Sequence, residues 1–211
     1  MRKIVFCDFD GTIIYEDALT LLLSKYAKGD WEIYFKLIIE GKMTLEEGIK
    51  NQVSLIEYKD QSELNEYLIK NCNLRKGFKE FLNYCKNNNI EFVILSAGLD
   101  FYIYLILEKY GIKDIKIISP KTIFNNNKII VEFPKADRKY KNFKEEIVDK
   151  HSNYYTIFIG DGYSDLWPAL KSRKILAIKN SLLDKVLKDL KIEAFAIEDF
   201  FDVIKILNFS L

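Results

Sequence analysis

The sequence predicts an α/β fold: a parallel sheet covered by helices on both faces, with a helical insertion after the first strand and a β-hairpin further on. Three observations predict it. Four short apolar runs, IVFC (4–7), FVIL (92–95), TIFI (156–159) and ILAI (175–178), have the length and continuity of strands buried on both faces. Helical patterns separate the later runs, and strand alternating with helix is the signature of a parallel sheet. Residues 15–75 break that alternation, with nearly sixty residues and no strand candidate.

Taken in order, IVFC leads straight into Asp8 and Asp10, and Gly11 allows a sharp turn after them. Helices are expected at about 17–28, 31–40, 44–57 and 61–71, where apolar residues such as Leu45, Ile49, Val53 and Ile56 recur at helical spacing. Gly29 and Gly41 stand where C-caps belong, and Thr44-x-x-Glu47 is a capping box. This stretch reads as a separate lobe, giving a core of residues 1–14 and 76–211 and a helical cap of 15–75. KGFKEFLNYCKNN precedes the second strand and DFYIYLILEKYG follows it. IKIIS, TIF, the polar turn Asn125-Asn126-Asn127 and KIIVEF, within 114–133, read as a β-hairpin or small antiparallel extension. A helix around 143–151 precedes the third run, and AFAI (194–197) is a fifth strand candidate.

Bulk properties exclude several classes of function. The 211 residues, 49% hydrophobic, suffice for one core and a small second lobe. The 32 Lys+Arg against 31 Asp+Glu give no basis for binding nucleic acid or an acidic membrane surface. Cys7, Cys72 and Cys85 are scattered without a CxxC, so neither zinc nor a disulfide framework is indicated. No apolar stretch reaches membrane-spanning length, and a cytoplasmic setting is expected. The single histidine, His151, reads as a surface residue, which leaves carboxylates and lysines to carry any chemistry.

Those carboxylates gather at strand ends. Asp8, Ser96 and Asp161 each follow an apolar run directly or after one Gly, and parallel sheets bind ligands at that edge. GDGYSD (160–165) adds Asp165 one helical turn beyond Asp161. Two like charges ~4 Å apart repel by roughly 4 kcal/mol at an effective dielectric of ~20, so four converging acids require a cation. Oxygen ligands without His or Cys suit Mg²⁺, which leaves room for a phosphate. Ser96-Ala97-Gly98, at a helix start, forms a small anion cradle, and Lys141 or Lys144 would supply positive charge for a phosphate dianion.

DFDGT (8–12), Ser96, Lys144 and GDGYSD (160–165), in that order, resemble the four motifs of the haloacid dehalogenase superfamily of phosphatases. Lys144 is preferred to Lys141 because Lys-Glu-Glu-Ile-Val resembles that family's lysine followed by two apolar residues at third and fourth place. The resemblance implies a Rossmann-like parallel core and a Mg²⁺-dependent phosphomonoesterase for a small phosphorylated metabolite. Asp8 would be the nucleophile and Asp10 the general acid and base. Mg²⁺ would be held by Asp8, the backbone carbonyl of Asp10 and Asp161, with Asp165 ligating or orienting. Thr12, Ser96, Ala97, Gly98 and Lys144 would hold the phosphoryl group. A phosphotransferase or mutase using the same aspartyl-phosphate, and a non-catalytic ligand-binding protein, are the alternatives.

The position of the helical insertion is similar to that in one branch of the superfamily, which contains phosphoserine phosphatases and a methionine-salvage phosphatase acting on 2-hydroxy-3-keto-5-methylthiopentenyl phosphate. SAGLDFYIYLILE (96–108) looks closest to the latter. Phosphoserine phosphatases carry an Arg for the substrate carboxylate just before a Val-Ser-Leu, where this chain has Gln52 before Val53-Ser54-Leu55. Asp17, next to Glu16, stands where those enzymes place a Glu.

Overall fold

The computed structural model describes residues 1–210. Six strands form one all-parallel sheet: β1 (Lys3–Cys7), β2 (Ile90–Leu95), β3 (Lys116–Ile118), β6 (Tyr155–Gly160), β7 (Lys174–Ile178) and β8 (Phe195–Ile197), in the order β3-β2-β1-β6-β7-β8. β4 (Lys121–Asn125) and β5 (Lys128–Glu132) form a separate antiparallel hairpin. Its tip, Asn126-Asn127, has φ of 45° and 60°, left-handed values that suit a two-residue hairpin turn and that Asn tolerates.

β1 shows why the apolar runs become central strands. Side chains alternate across a strand, so Ile4 and Phe6 enter the core on one face while Val5 and Cys7 enter the core on the other. All four are fully buried, and each large side chain so buried contributes about 1.5–3 kcal/mol. Both faces are then closed by helices, α5 (Phe78–Asn87), α6 (Asp100–Lys109) and α10 (Phe200–Ser210) contributing to one core and α7 (Phe143–Asp149), α8 (Leu166–Leu170) and α9 (Leu182–Asp189) to the other.

Residues 15–75 contain α1 (Ala18–Tyr26), α2 (Glu32–Ile39), α3 (Leu45–Ser54) and α4 (Gln61–Asn71), and no strand. Each is one to three residues shorter at its ends than the periodicity suggests, except α4, because the last periodic residues sit in caps and turns. The Thr44–Glu47 capping box is formed in both directions. The segment leaves and returns along two antiparallel stretches bridged at Ile14 and Leu74, and Glu16 fastens them by accepting from the Asn73 N–H and side-chain amide. Leu22, Leu23, Ile49, Val53, Leu64 and Leu68 join the same continuous apolar core as β1 and α6. No described helix is long and apolar enough to cross a membrane.

Two expectations change. IKIIS belongs to the main sheet: β3 pairs parallel with β2 and forms its edge, and only the residues after it make the hairpin. His151 is half-buried rather than on the surface, its ring edge-on to Phe6 at 5.2 Å with Nδ1 donating to the Ile147 carbonyl at 2.7 Å.

Candidate active site

β2, β1 and β6 lie side by side, and their carboxyl ends carry the polar groups. Cys7 is in register with Ile94 and with Ile159, so Asp8 emerges one residue beyond that level and Ser96 and Asp161 two residues beyond it, at the same edge of the sheet. Asp8 continues the ladder one step further through its N–H to the Ile159 carbonyl. Single carboxylate oxygens of Asp8, Asp161 and Asp165 all lie within 4.8 Å of one another. The N-terminal acid pair and the glycine-flanked turn therefore share one site.

Glycines make this convergence possible. Gly11 has φ +66°, and a Cβ there would lie 2.3 Å from Asp161 Oδ2. Asp165 anchors its own loop: Oδ2 accepts from the N–H groups of Asp161 and Gly162, and Oδ1 accepts from Lys144. Lys144 is fully buried and also donates to Asp8 Oδ1 at 2.9 Å. Lys141, the other sequence candidate, has its Nζ over the Trp167 ring at 5.5 Å. The Thr12 hydroxyl is buried and donates to Asp161 Oδ1 at 3.1 Å. Ser96 accepts the Gly98 N–H at 3.0 Å, which leaves its own O–H to donate elsewhere. Asp10 accepts from the Ala18 N–H and from the Tyr102 hydroxyl.

The electrostatics follow from burial. Desolvation first, then the Asp165 charge, push Asp8 up to about 7, against the pull of Lys144. Burial raises Asp161 well above the usual carboxylate range, with the charges of Asp8 and Asp165 adding to it. Burial likewise raises Asp10, with Asp17 and Asp8 contributing. Burial works against the charge on Lys144, but the Asp165 and Asp8 carboxylates outweigh it and hold its pKa above the ordinary lysine value. Clustered, buried carboxylate oxygens without His or Cys suit a small hard cation, so the residues present fit Mg²⁺.

Asp8, Asp10, Ser96, Ala97, Gly98 and Asp161 line one cavity of about 940 Å³. Much of its remaining wall comes from the helical segment and is apolar: Leu23, Trp31, Phe35, Ile38, Ile39 and Ile49. Gln52 is buried in the same wall and donates to the Trp31 carbonyl at 3.3 Å. Asp17 lines the cavity too, and it caps α1 by accepting from the Thr20 N–H.

Two residues at the site escape the sequence reading. Arg75 is buried and clamps the turn after Asp10, donating to the carbonyls of Gly11 at 2.6 Å, Thr12 at 2.7 Å and Glu198 at 3.1 Å. No local signal marks an Arg beside Lys76 and Gly77. Tyr102 looks like one more apolar residue of an aromatic helix, yet it lies four residues after Gly98, so its hydroxyl can reach back over that glycine.

Known proteins resemble this chain in sequence and in fold. The model of the haloacid dehalogenase-like hydrolase family matches residues 5–170. The 2-hydroxy-3-keto-5-methylthiopentenyl-1-phosphate phosphatase of Brevibacillus brevis is 29% identical over 214 residues, covering 98% of this chain and 96% of that protein. Its counterpart in Bacillus cereus is 32% identical over 206 residues, covering 94% of this chain and 93% of that protein. Among solved structures, a phospho-aspartyl intermediate analogue of phosphoserine phosphatase superposes with TM-score 0.75 at 22% identity, covering 97% of this chain and 98% of that one. A substrate-bound phosphoserine phosphatase gives TM-score 0.74 at 21% identity with the same coverage. At that identity these structures speak to the fold.

Proposed function

The chain belongs to the haloacid dehalogenase-like hydrolases and is a phosphomonoesterase, and from that premise we propose that Asp8 attacks the phosphorus of a small metabolite ester to form an aspartyl-phosphate. The observation that carries this reading is the convergence of Asp8, Asp161 and Asp165 within 4.8 Å, with Lys144 on Asp8. As an Asp8 oxygen bonds to phosphorus, the ester P–O bond breaks and its electron pair passes to the leaving oxygen, which takes a proton from Asp10. Water then attacks phosphorus and gives a proton to Asp10. The bond to Asp8 breaks, and phosphate leaves. Ser96 and Lys144 hold the phosphoryl oxygens, with Ala97 and Gly98 shaping the cradle.

Asp8, Asp161 and the Asp10 backbone carbonyl would hold Mg²⁺, with Asp165 positioning the loop and Thr12 fixing Asp161. Bound there, the ion would supply the positive charge that lets one anion approach another.

The helices of 15–75 serve as a cap that completes the cavity. Its mainly apolar wall favours a substrate with an apolar tail, buried Gln52 offers no charge to a substrate carboxylate, and the lining cation Lys36 is exposed and paired with Glu40. The methylthiopentenyl ester named for the relatives is therefore the preferred substrate and phosphoserine the second. Phosphate release with Mg²⁺ present tests both levels. The enol-type methylthiopentenyl ester should be turned over at least about tenfold faster than phosphoserine at equal concentration, and the reverse order would remove the substrate assignment. Asp8→Asn should abolish turnover with the fold intact, and activity above a few per cent of the parent's would remove Asp8 as nucleophile.

A further inference from the structure

Both oxygens of Asp10 are held. Oδ1 accepts from the Ala18 N–H at 2.8 Å and Oδ2 from the Tyr102 hydroxyl at 2.7 Å. Tyr102 is fully buried on α6, its ring set between Phe9 at 6.4 Å and Phe101 at 5.4 Å. These neighbours would accept a Phe equally well, so packing alone does not explain the hydroxyl. Gly98 gives the hydrogen bond its room: a Cβ there would lie 2.2 Å from Tyr102 Oη and 2.3 Å from Asp10 Oδ2. A buried tyrosine hydroxyl, a carboxylate at hydrogen-bond distance and a residue without a side chain between helix and loop form one arrangement.

We propose that Tyr102 is a positioning residue for Asp10, fixing the plane of its carboxyl so that the Oδ2 site left free by Tyr102, which carries the acid proton, faces the leaving oxygen of the ester. This rests on Asp10 being the general acid. An Asp carboxyl turns easily about its last torsion, whereas proton transfer needs the two heavy atoms within ~2.6–3.2 Å. The Ala18 N–H holds one oxygen and leaves that rotation poorly restrained. The second hydrogen bond removes the freedom.

The role matters only where the leaving oxygen needs a proton. An alkyl ester departs as a strongly basic alkoxide unless it is protonated. A p-nitrophenyl ester departs unaided, because the ring and nitro group spread the charge. The experiment compares kcat/KM of the parent chain and Tyr102→Phe on an alkyl phosphate and on p-nitrophenyl phosphate, with Mg²⁺. This parameter covers the reaction only up to departure of the alcohol, so the later attack of water does not enter it. General acid catalysis is worth ~10²–10⁴-fold, and losing its positioning should cost about tenfold or more on the alkyl ester and less than about threefold on the p-nitrophenyl ester. Because the ratio of the two kcat/KM values cancels the concentration of folded enzyme, the comparison stands should Tyr102→Phe fold only in part.

A purely structural role would lower both esters equally. Equal losses, or no loss on either, would overturn the positioning role and leave the phosphatase reading standing. A parent chain that releases phosphate from none of the alkyl, p-nitrophenyl and methylthiopentenyl esters would overturn both.

Discussion

Lys144 holds a full charge with no exposed surface, and it does so because Asp8 and Asp165 flank it. A buried ion pair of this kind contributes little net stability, yet removing one member leaves uncompensated charge and costs about 3–5 kcal/mol. Lys144→Met should therefore lower the unfolding free energy of the chelator-treated protein, read from urea titration, by that amount, and an unchanged value would contradict the geometry. The cysteines are the opposite case. Burial alone pushes Cys85 up to about 12, and burial followed by the charge of Asp10 takes Cys72 to about 12. At pH 8 both stay protonated, and Cys7 is raised too, by burial first. Ellman's reagent should find no rapidly reacting thiol in the native protein and all three after unfolding in urea. A fast native thiol would show that one of them is solvated. Asp8, Asp10 and Asp161 are legible in the sequence because each sits beside a glycine or a strand end, and Asp165 because it lies one helical turn beyond Asp161; these are local features. Arg75 and Tyr102 are not, because their partners lie 63 and 92 residues away in the chain.

At the scale of elements, α3 connects sequence to site most directly. Its capping box satisfies donors at the helix start, and the same helix presents Ile49 and Gln52 to the cavity. Thr44→Ala should cost about 1 kcal/mol of stability by urea titration, with KM affected more than kcat because α3 supplies wall rather than reacting groups. A kcat loss at unchanged KM would place the helix in the chemistry instead. The four helices of 15–75 are readable from periodicity and caps, and β1, β2, β6 and β7 from continuous apolar runs. β3 is not. It has three residues, lies at the sheet edge and is only partly buried, so a short apolar run there looks the same whether it joins the sheet or the following hairpin.

On the scale of the whole molecule, the site is a junction. The sheet supplies carboxylates, the 15–75 segment supplies an apolar wall, and Arg75 ties the turn after Asp10 to both the end of that segment and the carbonyl of Glu198. A cation bound at the junction stabilises the folded state alone, by about 2.7 kcal/mol at a hundredfold excess over its Kd. Mg²⁺ should raise the Tm of the parent chain, EDTA should reverse the rise, and Asp161→Asn should lose most of it. A Tm insensitive to Mg²⁺ would sink the metal site without any reference to activity. By itself the sequence determined the α/β architecture, the helical insertion and the acids at the strand ends, because strand burial, helix periodicity, capping and glycine turns depend on neighbours along the chain. Only the tertiary structure decided that Lys144 rather than Lys141 reaches Asp8, that Tyr102 holds Asp10, and that Arg75 clamps the turn. Those are contacts between distant segments, and their distances are set by how the sheet and helices pack.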